Sequence, residues 1–295
     1  MCSIASDRSA GTTSTSSKLP GLNYTSSNDF SMTESTVLQK LSRGETVLTA
    51  KACYADPELV ELLASAGFDA VWLCLEHKQI DPSLMYSLLQ ACRLGGAEAF
   101  VRVKPSNYSD ILWLLESGAR GLMLPRVRHP DEVHAFVAAA KFPPLGQRGC
   151  DVIHTDSSFG RTAMSDYVAT GNRSNFVIVQ IEEPEVVPHI DEIAAIPGVD
   201  VLFVGPGDLS LGYGKPAQFD APEVNSVVRA VGEACRRHGK HAAIPCSVEQ
   251  ITKYRQLGYG FLNIFSDFRG ITSSLNQALA AARGSLRHNP ESSIS

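Results

Sequence analysis

The chain contains no C-x-x-C pair, and its seven cysteines, at positions 2, 53, 74, 92, 150, 235 and 246, are odd in number. A disulfide framework or a cysteine-built zinc site is therefore not expected, and a reducing, cytoplasmic compartment is. Positive charge is not in excess: 26 Lys and Arg against 31 Asp and Glu leave a net charge of −5. That gives no basic field for a phosphate backbone, so nucleic acid is not an expected partner. No apolar run approaches the roughly 18 residues of a membrane-spanning helix. The run from Val199 to Val204 is broken by Asp200 and followed by Gly205-Pro206, so no membrane partner is expected either. The dinucleotide fingerprint G-x-G-x-x-G is missing after the first predicted strand, where "KACYAD" stands instead. What is present is a globular balance: 44% hydrophobic and 19% charged residues over 295 positions, enough for a substantial core.

The N-terminal stretch "GTTSTSSKLPGLNYTSSND" lacks apolar periodicity and cannot bury enough surface to offset its ordering entropy. The expected organisation is a Ser/Thr-rich tail over residues 1–40, one folded domain over 41–284 and a short tail over 285–295. Organelle targeting by the first segment stays an alternative, although Arg8 is the only arginine before Arg43 and acidic residues interrupt.

Between the tails, apolar runs alternate with helical patterns eight times. "ETVLTAKAC", "DAVWLCLE", "EAFVRV", "ARGLMLP", "FVIVQIE", "DVLFVG", "KHAAIP" and "GFLNIFS" read as strands buried on both faces, as in a parallel sheet. Two helices open with Asp as N-cap and Pro in the first turn, at Asp56-Pro57 and Asp81-Pro82. The segment from about Phe142 to Asn175 reads as one long loop, a lid or a subunit contact, with Arg148, Ser157 and Arg161 as substrate, interface or merely solvated groups. Eight strand–helix units in roughly 240 residues fit a closed (β/α)8 TIM barrel better than an open doubly wound sheet.

Chemistry in such a barrel lies at the C-terminal ends of the strands. The sequence places Glu76-His77, Arg102, Glu182, Asp208 and Ser266-Asp267 there, with Lys104 just beyond the third strand. Buried charges need partners, a metal or a substrate. Glu182 and Asp208, on adjacent strands, suit Mg²⁺ or Mn²⁺ with water and substrate oxygens completing the shell. The alternative is that Glu182 begins the acidic run "EEPE" and caps a helix. His77 reads as a general base or as a rim residue that only hydrogen-bonds. Arg102, flanked by Val101 and Val103, points away from them, to grip a carboxylate or to form a structural ion pair. Glu116, late on a helix, reads by itself as a solvated carboxylate.

"AGFDAVWLCLEH", "FVRV", "LLESGARGLMLPRV", "FPPLGQRG", "VQIEEPE" and "GVDVLFVGPGDLS", in this order on the predicted strands, carry a resemblance. From about Gly44 to Arg283 the chain resembles the HpcH/HpaI family of metal-dependent 2-oxo-acid (pyruvate) aldolases. The resemblance implies a TIM barrel assembled into hexamers or trimers, with the last helix exchanged between subunits. It puts the metal on Glu182 and Asp208, the catalytic histidine on His77, the acid that orients it on Glu116, and the oxyanion-binding arginine on Arg102. It assigns the pyruvate carboxylate to the backbone from Gly205 through Pro206 and Gly207 to Asp208, and gives Pro245 a part in choosing the aldehyde. Cys74 and Glu76 stand behind these groups.

The implied activity is that of an aldehyde-lyase that cleaves or forms 4-hydroxy-2-oxo acids through a metal-bound pyruvate enolate. The metal would be Mg²⁺ or Mn²⁺, with Co²⁺ or Zn²⁺ as alternatives, and no Schiff-base lysine is required. One departure stands out: Cys74 and Leu75 occupy positions that in the family are usually acidic and small. Two rival expectations follow, a lyase for an acyl-CoA of the citramalyl or malyl type, and a non-catalytic keto-acid-binding relative.

Overall fold

The computed structural model describes residues 34–104 and 107–287. Residues 1–33 and 288–295, the greater part of both expected tails, lie outside the described residues. Eight parallel strands close in chain order: β1 Val47–Lys51, β2 Ala70–Cys74, β3 Glu98–Arg102, β4 Gly121–Leu124, β5 Phe176–Ile181, β6 Val201–Val204, β7 His241–Pro245 and β8 Tyr259–Ser266. β8 pairs back onto β1, so no open edge is left. This is the expected (β/α)8 barrel.

Alternate strand residues face inward. Val47, Ala70, Trp72, Phe100, Met123, Phe176, Ile178, Val201, Phe203 and Phe261 fill the interior. Trp72 stacks on Phe100 at 5.9 Å and meets Phe203 edge-on at 5.3 Å. Gly121 is glycine for a packing reason: a Cβ there would stand 2.1 Å from the Phe176 ring. The complementary residues, Val71, Val101, Leu122, Val177 and Leu202 among them, pack against the helices.

The outer helices are α2 Pro57–Ser65, α3 Pro82–Leu94, α4 Tyr108–Glu116, α5 Pro130–Ala140, α7 Ile190–Ala195, α9 Pro222–His238 and α10 Ile251–Gln256. Asp56 and Asp81 cap α2 and α3 as their spacing requires, accepting from Leu59 N at 2.8 Å and Leu84 N at 3.1 Å.

Four expectations need correction. The folded unit begins before residue 41, with helix α1 Thr36–Ser42. Val37 and Leu41 join the barrel-interior cluster, and Glu98, at the start of β3, accepts from Ser35 Oγ at 2.7 Å. This helix plugs the strand-start mouth, a role visible only once the barrel has closed. The segment 142–175 is not one loop: it holds a 3-10 turn at Thr155–Ser157 and helix α6 Met164–Ser174. Only Tyr167, Gly171 and Ser174 of α6 are buried, too thin a stripe to read as a helix. The stretch "PEVVPHIDEIAAIPG", one of the eight helical patterns, is not a single helix: a 3-10 segment, Pro184–His189, with Pro188 inside it, precedes α7. Finally, α11 Asp267–Arg287 runs beyond residue 284.

Candidate active site

The inward alternation of each strand continues to the C-terminal rim. It carries Lys51 on β1, Cys74 and then Glu76 after β2, Arg102 on β3, and Gln180 and then Glu182 after β5 to one side of the aromatic layer. Arg102 is 3% exposed. Its Nη2 donates to Cys74 Sγ at 3.2 Å and its Nη1 to Gln180 Oε1 at 3.5 Å. Its Nε lies 3.0 Å from Glu76 Oε2, an ion pair whose N–H is not aimed at the oxygen. The guanidinium rests over Trp72, 5.1 Å from the ring centroid. Leu75 N donates to Arg102 O at 2.9 Å, tying the two strand ends together.

Glu182 is 1% exposed. Its Oε1 accepts from Arg126 N at 2.8 Å and its Oε2 from Gln180 Nε2. Burial pushes its carboxyl up to about 7; Asp208 adds to the effect and the Arg126 amide opposes it. Asp208 lies in the first turn of a short helix, α8 Pro206–Gly212, which begins directly after Gly205. Gly205 is required: a Cβ would meet Glu182 Oε2 at 2.8 Å. Arg126 adopts φ 55°, an unfavourable value for a side-chain-bearing residue, which turns its amide toward Glu182. Its guanidinium pairs with Glu183 at 2.5 Å and lies 4.0 Å from Asp208.

Among the described residues no group of three or more His, Cys, Asp or Glu is set to hold a metal. The candidate donors are two carboxylates, Glu182 and Asp208, the first of them buried and raised chiefly by that burial. That fits a hard divalent cation whose remaining positions are filled by water and substrate oxygens. It does not fit a closed structural zinc site.

His77 stands on the same rim, its Nε2 3.6 Å from Glu76 Oε2, with 59% of its side chain exposed. Pro245 ends β7, half-buried. Glu116 is not there. It ends α4, which descends from the rim, and the next residues lead to the strand starts, where Arg120 N donates to Ala99 O. Glu116 Oε2 instead faces His154 Nε2 at 3.5 Å, and Asp151 approaches the same nitrogen at 3.4 Å. Burial raises the Glu116 carboxyl, with the charges of His154 and Arg148 opposing.

The segment 142–163 is anchored at that end too. Thr155 borders Gly118 and its hydroxyl lies 3.3 Å from the Tyr86 hydroxyl of α3, while Gly149 N donates to the hydroxyl of Tyr108, the first residue of α4. The segment thus runs along the outside of α4. Arg148 is buried between Asp156 and Tyr167, donating to them at 2.9 and 2.8 Å. Ser157 is buried and donates to Val152 O at 2.6 Å, while Arg161 is exposed.

Lys51 and Gln180, and Arg126 and Glu183, are given no role by the sequence, although Gln180 and Arg126 stand at the ends of the fifth and fourth strands, on the rim. The first two were accessible from strand alternation, two residues before or after an inward position. The other two depend on a backbone turn that no periodicity encodes.

Residues 52–268 match the model of the HpcH/HpaI aldolase/citrate lyase family. The chain belongs to that family. It is 33% identical over 238 residues to the 2-dehydro-3,6-dideoxy-6-sulfogluconate aldolase of Pseudomonas putida, covering 80% of this chain and 92% of the relative. It is also 33% identical to the 5-keto-4-deoxy-D-glucarate aldolase of Enterobacter sp. (strain 638), covering 81% and 93%. Among solved structures, a family protein from Burkholderia cenocepacia J2315 matches at 30% identity and TM-score 0.78, covering 84% and 99%. The citrate synthase SbnG matches at 28% and 0.78, covering 85% and 99%.

Proposed function

We propose that this chain is a class II-type aldolase that cleaves or forms 4-hydroxy-2-oxo acids by way of a pyruvate enolate. The carrying observation is the company kept at the rim: the immobilised Arg102 and the buried Glu182 share Gln180, which accepts from the guanidinium and donates to the carboxylate, and Asp208 acts on the same carboxylate. Glu182 and Asp208 would hold a divalent cation, Mg²⁺ or Mn²⁺ with Co²⁺ or Zn²⁺ as substitutes, which would supply Lewis-acid stabilisation of developing negative charge.

The chain's own groups do the rest. Arg102, held by Glu76, Cys74 and Gln180, places fixed positive charge where the 2-oxo oxygen becomes negative. The backbone from Gly205 to Asp208 receives the pyruvyl carboxylate. His77, exposed at the rim, takes the C4 hydroxyl proton as the C3–C4 bond breaks. The bonding pair goes to C3, and C4 leaves as the aldehyde. Synthesis returns the same proton to the new hydroxyl.

Glu116 cannot orient the His77 of its own chain from the opposite end of the barrel. In this reading it serves a neighbouring copy. A homo-oligomer, hexamer or trimer, is supported by α11, where Ile271, Leu275 and Leu279 are exposed at four-residue spacing, leaving an apolar stripe unpartnered within one chain. No helix among the described residues is long and apolar enough to cross a membrane. A cytoplasmic setting belongs to the same reading.

The test is a panel of aldehydes with pyruvate, with and without chelator, beside pyruvate C3–H exchange in D₂O. Chelator-sensitive exchange and carbon–carbon bond formation are expected. Exchange absent with every metal tried favours the keto-acid-binding alternative, and cleavage confined to acyl-CoA substrates favours the thioester lyase.

A further inference from the structure

Lys51 ends β1 in line with the inward residues Val47 and Thr49, half-buried at the rim. Its Nζ lies 4.4 Å from the Trp72 ring centroid, over the indole that also carries the Arg102 guanidinium. Among the described residues that amine has no hydrogen bond and no ion pair. The nearby carboxylate, Glu76, is engaged with Arg102 at 3.0 Å. Burial, and then the Arg102 charge, lower the Lys51 pKa. An ammonium has three donors, and placing it beside a second cation without a counter-ion is costly. A cation–π contact with Trp72 offsets part of that cost and satisfies none of the donors as a hydrogen bond would.

The order of the staves says what would complete the set. Arg102 is on β3, the proton acceptor His77 follows β2, and Lys51 is on β1. In the aldolase reading, on which this inference rests, the pyruvyl half lies toward Arg102 and the carboxylate pair, and C4 with its hydroxyl lies by His77. Substituents on C4 then extend toward β1.

We propose that Lys51 is a specificity residue that binds an anionic group on the aldehyde half, so that the preferred substrate is a 4-hydroxy-2-oxo acid with a second acid group. Arg102 and Lys51 divide the two ends of such a substrate between them, and Trp72 is the common floor.

Aldol addition of pyruvate to glyoxylate, which is anionic, and to glycolaldehyde, a neutral counterpart of similar size, tests this in wild type, Lys51→Met and Lys51→Arg. Lys51→Met should raise the KM for glyoxylate about tenfold to a hundredfold, the effect of one charge-assisted hydrogen bond. The KM for glycolaldehyde should stay within about twofold, and Lys51→Arg should recover part of the loss. Equal losses for both aldehydes, or a borohydride-reduced pyruvate adduct on Lys51, would overturn the proposal. A second readout does not need turnover. In a Trp113→Phe background, Trp72 is the sole indole, and glyoxylate alone should shift its fluorescence saturably with Lys51 and not with Lys51→Met. If that shift persists while neither aldehyde reacts with any metal, the aldolase reading fails and the anion site stands. A titration that is flat, or unaltered by Lys51→Met, removes the anion site whatever the activity.

Discussion

Glu116 Oε2 lies 3.5 Å from His154 Nε2, at the strand-start end of the barrel and an entire helix away from His77 on the rim. A pairing of Glu116 with His77 is thus open only between two copies of the chain. His77→Ala should cost roughly 10²–10⁴-fold in rate. Mixing inactive His77→Ala with inactive Glu116→Gln and allowing subunits to exchange should restore activity, up to about a quarter of the sites, because some interfaces regain both intact groups. Enzyme assay of the mixture checks this, and no recovery after proven exchange would confine each residue to its own chain.

Glu182→Gln and Asp208→Asn should each lower metal-dependent turnover by more than about a hundredfold, beyond what loss of a ligand's supporting contacts costs. The circular dichroism spectrum should be unchanged. Mn²⁺ titration of both variants is the measurement, and full activity in either removes that residue from the site.

Leu275→Glu with Leu279→Glu introduces charge on the exposed stripe of α11. Light scattering should show smaller particles, while the thermal transition of the barrel remains. An unaltered mass would mean that the stripe does not hold copies together.

Arg148 and Asp156 are both buried, and Tyr167 donates to the same carboxylate at 2.6 Å. Asp156→Ala leaves the guanidinium without its counter-charge and should destabilise the fold by about 3–5 kcal/mol in urea unfolding. Loss of less than about 1 kcal/mol would show that the network contributes little.

Burial, helped by the charge of Lys240 and opposed by that of Asp200, holds the His241 imidazole below its ordinary value. The unfolded chain therefore binds the proton more readily than the folded one. His241 favours the fold fully above about pH 6.5, and the contribution falls as pH drops through the unfolded value toward the folded one. Urea unfolding between about pH 7.5 and pH 5.5 should show a shallower loss of stability in His241→Gln than in wild type.

The barrel was legible because its information is local and repeated. Asp-Pro starts and apolar runs of strand length recur along the chain, and each is set by neighbours in sequence. Glu182, Asp208 and Arg102 were legible as rim residues because a parallel barrel collects its strand ends. Helix α1 was not, since Val37 and Leu41 are buried only by the mouth they close. Helix α6 was not, since its few buried residues pack on Phe142, a neighbour across a gap in sequence.

By itself the sequence determined the number and direction of the staves, because strand alternation and helix caps are properties of adjacent residues. Tertiary structure alone decided who meets whom. It seats Lys51 and Arg102 over one indole and sends Glu116 to the far end with His154. It also turns the Arg126 amide onto Glu182. Such pairings depend on where the barrel closes and on how each connection descends, and these are distances in space that no spacing along the chain records.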